Sequence, residues 1–221
     1  MRALRRCFYR PGLPGLPGLP GLPGLSALSA LLLAVTACGS KPPIDEASYV
    51  ATIAAARAAK DADFTNSPES PVPQNRRAEF LPLAYFPIDP AYSVPAMLEP
   101  TNERTVIQMP TSVGAQRQMR RVGMLQFAVK GQPLKLSAFV EVGASNVDHL
   151  FVPFTDLTSG TETYPAGRYL DLDRNATGIY VIDFNRAYHP YCYYNLTFDC
   201  PYPPAENRLT VPIRAGERMR K

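Results

Sequence analysis

The segment 122–142, VGMLQFAVKGQPLKLSAFVEV, carries the clearest strand pattern in the chain. In its first half, Leu125, Phe127 and Val129 fall on one face of a strand. In its second half, apolar residues alternate with polar ones, which predicts one buried face and one face in water. Between the halves, the tripeptide at 130–132 (KGQ) predicts a tight turn. The segment therefore predicts an antiparallel hairpin.

Shorter apolar runs on both sides of the hairpin extend it into a mainly β domain. Residues 150–154 are apolar on both faces, which predicts a central strand. The segment 116–121 is polar and basic, and fits either an edge strand or a loop. Further strands are predicted at 80–86, 105–109, 169–172 and 179–184. The turn spacing predicts about eight strands, arranged as an antiparallel β-sandwich or a partly closed barrel with one N-terminal α-helix.

The N-terminal helix is predicted over residues 46–63. Asp45 is suited to cap it, and Tyr49, Ile53 and Phe64 recur at helical spacing, so that these side chains are expected to pack on the domain. A free coiled-coil arm is the alternative. After the helix, 67–73 (SPESPVP) holds three prolines and predicts an extended loop.

The first 37 residues resemble the signal peptide of a bacterial lipoprotein. Arginines precede an apolar run at 25–37, which is too short to span a bilayer, and 35–38 (VTAC) resembles a lipobox. The resemblance implies lipid attachment at Cys38. We expect a tether at 38–45 and, from the strand and helix patterns, a single β-rich domain with an N-terminal helix at 46–221. An ordinary secretory signal with a cysteine at that position is the alternative. Gly39 in place of Asp favours the outer membrane, at its periplasmic face, if the cell has one.

Two features of the N-terminus carry no function of their own. The PGL triplet repeated five times at 11–25 fits an expansion inside the signal, since removing it leaves a signal of ordinary length; a collagen assembly is the alternative. The formal charge of +4 comes from four arginines in the first 37 residues, and without them the chain has 19 basic and 19 acidic residues. A neutral mature chain excludes the electrostatic pattern of nucleic-acid binding.

The segment 149–207 concentrates the residues that could form a site. It contains eight of the twelve tyrosines and both histidines. Cys192 and Cys200 predict a disulfide in an exported domain; free thiols, or a metal site with His189, are the alternatives. The loop 171–178 (DLDRNATG) starts as an EF-hand calcium loop does but lacks its later ligands, so a turn with Asx hydrogen bonds fits it better. No metal or other cofactor is predicted.

No GxSxG, HExxH, Walker or GxGxxG pattern is present, so the sequence does not decide whether the protein is an enzyme. Asp183 follows an apolar run and needs a partner if it is buried, which Arg168 or Arg186 could supply. A structural ion pair is one interpretation. A pair of carboxylates in a cleft, Glu162 with Asp183, is the other.

Three strings in the second half of the chain are specific enough to carry a resemblance: FTDLTSGTETYPAGRYLDL, IDFNRAYHPYCYYN and CPYPPAENRLTVPIRAGE. They resemble a domain-of-unknown-function family of bacteria and archaea, in which some members are lipoproteins. The resemblance covers about 49–217. This chain has Pro165 where the family usually has Gly, and His189 where it usually has Asn, which argues against an essential role for His189. The resemblance implies no activity, but it marks six candidate ligand-binding residues: Glu162, Tyr164, Arg168, Asp183, Asn185 and Asn207.

These observations predict a membrane-anchored exported lipoprotein of the cell envelope with no catalytic role. Its partners would be the lipid bilayer, through acylated Cys38, and a small-molecule or polymeric envelope ligand bound in the tyrosine-rich region. Tyrosine combines apolar area with a polar tip, which suits sugars, peptides or aromatic ligands. The first alternative is a hydrolase that uses acidic and Asn residues of the 156–207 region. A purely structural envelope protein is the second.

Overall fold

A mainly antiparallel sheet, curved into a nearly closed barrel, forms the body of the protein. The computed structural model describes residues 45–101 and 105–220. The predicted signal at 1–37, its cysteine Cys38 and the tether up to residue 44 lie outside them. The strands are β1 (Ser93–Pro100), β2 (Val106–Pro110), β3 (Gln116–Val129), β4 (Gln132–Glu141), β5 (His149–Phe154), β6 (Arg168–Asp173) and β7 (Tyr180–Asp183).

The predicted hairpin is the centre of this sheet. The strand order is β6-β5-β4-β3-β1-β7, with β2 paired beside β3. β3 and β4 pair from Val129 opposite Gln132 to Met119 opposite Glu141. Their two-residue turn places Lys130 at φ 49° and Gly131 at φ 79°, the left-handed conformation that such turns need. The segment 116–121, which the sequence left open, is the first part of β3.

β1 is the strand that the sequence missed, because Pro95 and its neighbouring prolines predict a break in the chain. Its first half, Ser93 to Ala96, pairs with β7, and its second half, Met97 to Pro100, pairs with β3. Each half therefore has only one neighbouring strand, and Pro95 lies in an edge position where its missing N–H leaves no ladder bond unmade. This split strand carries the sheet round from β3 to β7 and nearly closes the barrel.

The strand predicted at 80–86 is wrong. Phe80 ends a short helix, α2 (Arg77–Phe80), and the Leu81–Pro82 peptide bond is cis. From this segment only Tyr85 makes a β-type pairing, an isolated bridge to Glu217. Pro82 inside the segment and Pro87 directly after it explain the error, because each restricts the backbone and removes an N–H that a strand ladder would use.

The N-terminal helix, α1 (Glu46–Asn66), confirms the prediction and runs one turn further. The Asp45 side chain accepts the Ser48 backbone N–H at 3.4 Å as its cap. Ile53 and Phe64 are buried against the domain. Within residues 45–101 and 105–220, no helix has both the length and the apolar character needed to cross a membrane.

The main core fills the inside of the barrel. Leu125, Leu136, Val152, Phe154 and Ile182 are fully buried there. Each such side chain contributes roughly 1.5–3 kcal/mol to folding by leaving water. A second cluster joins α1 to the C-terminal half through aromatic residues, and a third lies on the other face of the sheet: Met109, Met119 and Phe139, with Ile107 and Phe151 beside them.

Candidate functional site

Arg168, a predicted ligand-binding residue, is fully enclosed. It begins β6 and is 1% exposed. Its Nη2 donates to Asp156 Oδ2 at 2.7 Å, and its two terminal nitrogens donate to the carbonyls of Ile213, Ala215 and Glu217 at 2.7, 2.5 and 3.1 Å. Burial lowers the pKa of the guanidinium while Asp156 opposes the shift. Arg168 therefore organises the C-terminal segment around itself, and we call this set the Arg168 network.

Asp183 and Asn185 belong to a second satisfied cluster. The hydroxyl of Tyr49 on α1 donates to Asp183 Oδ1 at 2.8 Å, and the Asn185 backbone N–H donates to the same oxygen at 3.0 Å. The Asn185 amide donates to the Asp89 carbonyl at 2.8 Å and accepts the Asp89 N–H at 3.1 Å. Arg186 Nε lies 3.4 Å from Asp183 Oδ2, and this is one of the two ion pairs considered for Asp183 from the sequence. These contacts fix α1 to the barrel.

Asn207 is a bridge between neighbouring strands. Its side-chain oxygen accepts the Ser137 N–H of β4 at 2.7 Å. Its amide donates to the Ser137 carbonyl at 2.9 Å and to the Pro153 carbonyl of β5 at 2.8 Å. The residue is 0% exposed. The β4–β5 pairing is short in register, and Asn207 supplies backbone partners where the two strands diverge.

Glu162 and Tyr164 are partly exposed. Glu162 pairs with Arg214 at 2.8 Å. The Tyr164 backbone N–H donates to His189 Nε2 at 3.3 Å. The centroids of the Tyr164 and Tyr193 rings are 5.3 Å apart. Glu162 has Arg214 as a partner and Asp183 has Tyr49 and Arg186, so the carboxylate pair considered from the sequence stays a prediction.

Glu217 is the buried polar centre that the sequence did not single out. It is 2% exposed and accepts from Lys60 Nζ at 2.6 Å, the Tyr194 hydroxyl at 2.8 Å and the His189 N–H at 2.7 Å. Gly216 before it adopts φ 77°, and a side chain there would meet the carbonyl of Ala187 at 2.5 Å. In the sequence, the available signal for this buried centre was the pair Gly216-Glu217, which ends the string CPYPPAENRLTVPIRAGE.

Cys192 and Cys200 are adjacent, buried and free, so the predicted disulfide is not formed in this structure. The Cys192 N–H donates to Cys200 Sγ at 3.2 Å. A hydrogen bond from the Cys200 thiol lowers the pKa of Cys192 to about 7, and the same interaction raises the pKa of Cys200. A thiolate beside a thiol is the chemistry that an oxidant converts to a disulfide. The proposed bridge thus remains a prediction about the oxidised protein.

The open cleft of the protein lies elsewhere, over the outer face of the sheet. It has a volume of about 850 Å³, within the range of small-molecule sites. Its floor includes Met119 of β3, Phe151 of β5 and Tyr169 of β6. One wall is the loop with Tyr191, Phe198 and Cys200. The polar rim consists of Lys60, Arg117, Glu141, Ser145, Asn146, His149, Asp171, Asp173 and Asp199.

A row of aromatic rings crosses this cleft. The ring centroids of Phe151 and Tyr169 are 4.8 Å apart, and those of Tyr169 and Tyr188 are 5.8 Å apart, both edge to face. On the loop, Tyr191 and Phe198 are 5.3 Å apart. Edge-to-face packing holds each ring in place. Tyr169 is buried, whereas Phe151, Tyr188, Tyr191 and Phe198 are at least partly exposed.

None of the six predicted binding residues lines this cleft, although part of its lining comes from the region 149–207. The sequence placed Asp171 and Asp173 in a turn; Asn175 does make that turn, accepting from Thr177 and Ile179. The two aspartates, however, end β6 on its exposed face. His149 Nδ1 lies 2.5 Å from Asp173, its cross-strand partner. Alternation of Asp with buried leucines at 170–173 was the signal for this polar face.

Comparison with known proteins places the chain in a family. A family model described as a protein of unknown function (DUF1684) matches residues 78–218. The chain belongs to the DUF1684 family. The solution NMR structure of an uncharacterized protein from Haloarcula marismortui is similar to it, with 35% sequence identity and a TM-score of 0.61. That similarity covers 79% of this chain and 96% of the archaeal one. No curated protein matches the chain.

The DUF1684 match confirms the resemblance to a family of unknown function. It spans the barrel, the Arg168 network and most of the cleft, but it begins after α1. Lys60 on the rim of the cleft therefore comes from a helix outside the matched residues.

Proposed function

We propose that this DUF1684 protein is an exported, lipid-anchored binding protein of the cell envelope. The cleft carries the binding part of the proposal. It combines a volume of about 850 Å³, an aromatic floor and charged groups on its rim, which are the features of a small-molecule site. The ligand would be a small molecule or a segment of an envelope polymer.

Four of the polar residues that the motifs single out are closed to a ligand and to a substrate alike. Arg168, Asp183, Asn185 and Asn207 are buried and hydrogen-bonded to protein groups. A group that is already enclosed and paired cannot reach a substrate without breaking those bonds. The hydrolase alternative would need a set of residues other than these.

The anchoring part of the proposal rests on the sequence of the first 38 residues. A basic start, a short apolar run and VTAC before Gly39 fit a lipoprotein signal. Acyl chains on Cys38 would hold the protein at the periplasmic face of the outer membrane, if the cell has one. Cell fractionation tests this part. The native chain should be in the membrane fraction, and a Cys38→Ser variant that is still cleaved and membrane-bound would contradict it.

A ligand screen tests the cleft. The full chain is purified from membranes in neutral detergent, and envelope glycans, peptides and small organic molecules are scored by the rise in its unfolding temperature. Ser145→Trp fills the exposed rim of the cleft, whereas Ala176→Trp adds the same bulk to a turn outside it. We expect a ligand whose stabilising effect is lost in Ser145→Trp and kept in Ala176→Trp. Stabilisation that survives Ser145→Trp would refute the cleft as the site.

A further inference from the structure

The rim of the cleft carries more negative than positive charge. Four carboxylates line it (Glu141, Asp171, Asp173, Asp199), against two cations, Lys60 and Arg117. With histidine counted as neutral, the lining has a net charge of −2. A cavity with an excess of one sign concentrates ligands of the opposite sign.

Both cations of the rim are already engaged by carboxylates. Lys60 Nζ lies 2.6 Å from Glu217, a buried residue outside the lining. Arg117 Nη2 lies 3.3 Å from the Asp199 carbonyl and 3.9 Å from its carboxylate. Among the described residues that line the cleft, the three carboxylates not paired with either cation are Glu141, Asp171 and Asp173.

The carboxylate of Asp171 is held in place without being neutralised. The hydroxyl of Tyr188 donates to its Oδ2 at 2.6 Å, and this neutral donor leaves the negative charge in the cleft. Asp173 is two residues further along β6 on the same exposed face, beside His149. Two carboxylates thus stand next to the aromatic row, which itself ends at Tyr188.

The aromatic row already accommodates a cation. Lys60 Nζ lies 4.9 Å from the centroid of the Tyr188 ring and 5.1 Å from that of Phe64. A ring face attracts a cation through its quadrupole, and the attraction is stronger where water is displaced. Aromatic faces beside carboxylates that have no cation next to them favour a ligand in which a positively charged group is attached to an apolar portion.

We infer that the cleft selects an organic cation, an amine or guanidinium group attached to an apolar or aromatic portion. This inference rests on the proposed function of the cleft. The carboxylates would contact the charged group, and Phe151, Tyr169 and Tyr188 would contact the apolar portion. An anion of the same shape would meet repulsion from Asp171 and Asp173, and a neutral analogue would gain no electrostatic attraction from them.

Calorimetric titration with three matched indoles tests this selection. Tryptamine, tryptophol and indole-3-propionate share a ring and a two-carbon arm, and end in an ammonium, a hydroxyl and a carboxylate. Binding to the full chain in neutral detergent should be at least about tenfold tighter for tryptamine than for tryptophol. Indole-3-propionate should bind more weakly still, and added salt should narrow the difference.

Variants assign the preference to the named carboxylates. The double variant Asp171→Asn, Asp173→Asn should bring tryptamine to the affinity of tryptophol. Glu99→Gln is the matched control, because Glu99 is an exposed carboxylate of β1 outside the cleft. It should keep the full preference. Thermal unfolding of all three proteins checks that each is folded.

The inference is overturned if tryptophol binds as tightly as tryptamine, if tryptamine does not bind at millimolar concentration, or if the preference survives the double variant. None of these results removes the proposed function. A neutral or anionic ligand from the screen, displaced by Ser145→Trp, would leave a binding cleft with a different selectivity. A screen in which no ligand depends on Ser145 would remove both.

Discussion

The Arg168 network and the cleft both hold charged residues of the same half of the chain, yet they do opposite things. In the network, one guanidinium satisfies a carboxylate and three carbonyls with almost no exposure to water. In the cleft, carboxylates of β6 face open space with rings beside them. A motif rich in polar residues can therefore mark the assembly of a fold, while the ligand site lies among less distinctive residues.

The largest effect should come from Arg168→Met. It leaves Asp156 buried without its cation, and losing one partner of a buried pair typically costs about 3–5 kcal/mol. Urea denaturation should show a loss of that size, with a smaller loss in Arg168→Lys. The control is Arg174→Met, since Arg174 is half exposed and lies 3.9 Å from Asp148. Equal, small losses in Arg168→Met and Arg174→Met would contradict the role given to the network.

Asn207→Ala should cost somewhat less, about 2–4 kcal/mol. It leaves a buried N–H and two carbonyls of β4 and β5 unpaired, and each buried unpaired group costs roughly 1–3 kcal/mol. Denaturation measures the loss, and hydrogen exchange should show faster exchange of the Ser137 amide. Asn175→Ala, which affects an exposed turn, serves as the comparison. Slow exchange at Ser137 in Asn207→Ala would argue against the bridge.

Oxidation of Cys192 and Cys200 should stabilise the protein by about 2–3 kcal/mol, because a short loop is closed in the unfolded chain. Mass spectrometry of unreduced protein from the envelope should find the linked peptides. The gain should disappear with reductant and be absent in a Cys192→Ser, Cys200→Ser variant. Two alkylatable thiols in the exported protein would refute the bridge.

His189 should make stability depend on pH. Burial, with Arg168 and Lys60 nearby, lowers its pKa well below the usual range, and its Nε2 must stay unprotonated to accept from Tyr164. Below about pH 6.5 the unfolded chain binds a proton that the folded chain does not, so stability falls as pH falls, by up to about 1.4 kcal/mol per unit.

Denaturation between about pH 5 and 7.5 measures this dependence. In His189→Asn the histidine contribution should vanish, whereas His149→Asn, at an exposed position, should keep it. A slope that is unchanged in His189→Asn would assign the pH dependence to other groups.

The smallest effect should be that of Asp171→Asn on stability, within about 0.5 kcal/mol, as for most exposed positions. The amide oxygen can still accept from Tyr188, so the fold keeps its contacts. Denaturation of Asp171→Asn and of Arg168→Met under the same conditions would compare their free energies of unfolding. A small loss in the first and a large loss in the second would distinguish a residue that serves binding from one that serves folding. A loss of several kcal/mol in Asp171→Asn would make this side of the cleft structural too.

Local patterns were enough to predict the hairpin, α1 and the turn at Asn175. Each depends on residues close in sequence: alternation across a strand, spacing around a helix with its cap, and an Asx side chain bonding its own backbone. β1 was missed for a non-local reason. Pro95 is tolerated because β1 changes neighbours there, and no local pattern shows which strands lie beside it.

The chain by itself determined a mainly β domain with an N-terminal helix, and it marked the half in which polar and aromatic residues gather. Only the tertiary structure decided what those residues do. Burial turned Arg168, Asp183, Asn185 and Asn207 into supports of the fold, since a buried polar group must be paired. The same packing left Asp171, Asp173 and a row of rings around the open space between the sheet and the loop at 190–201.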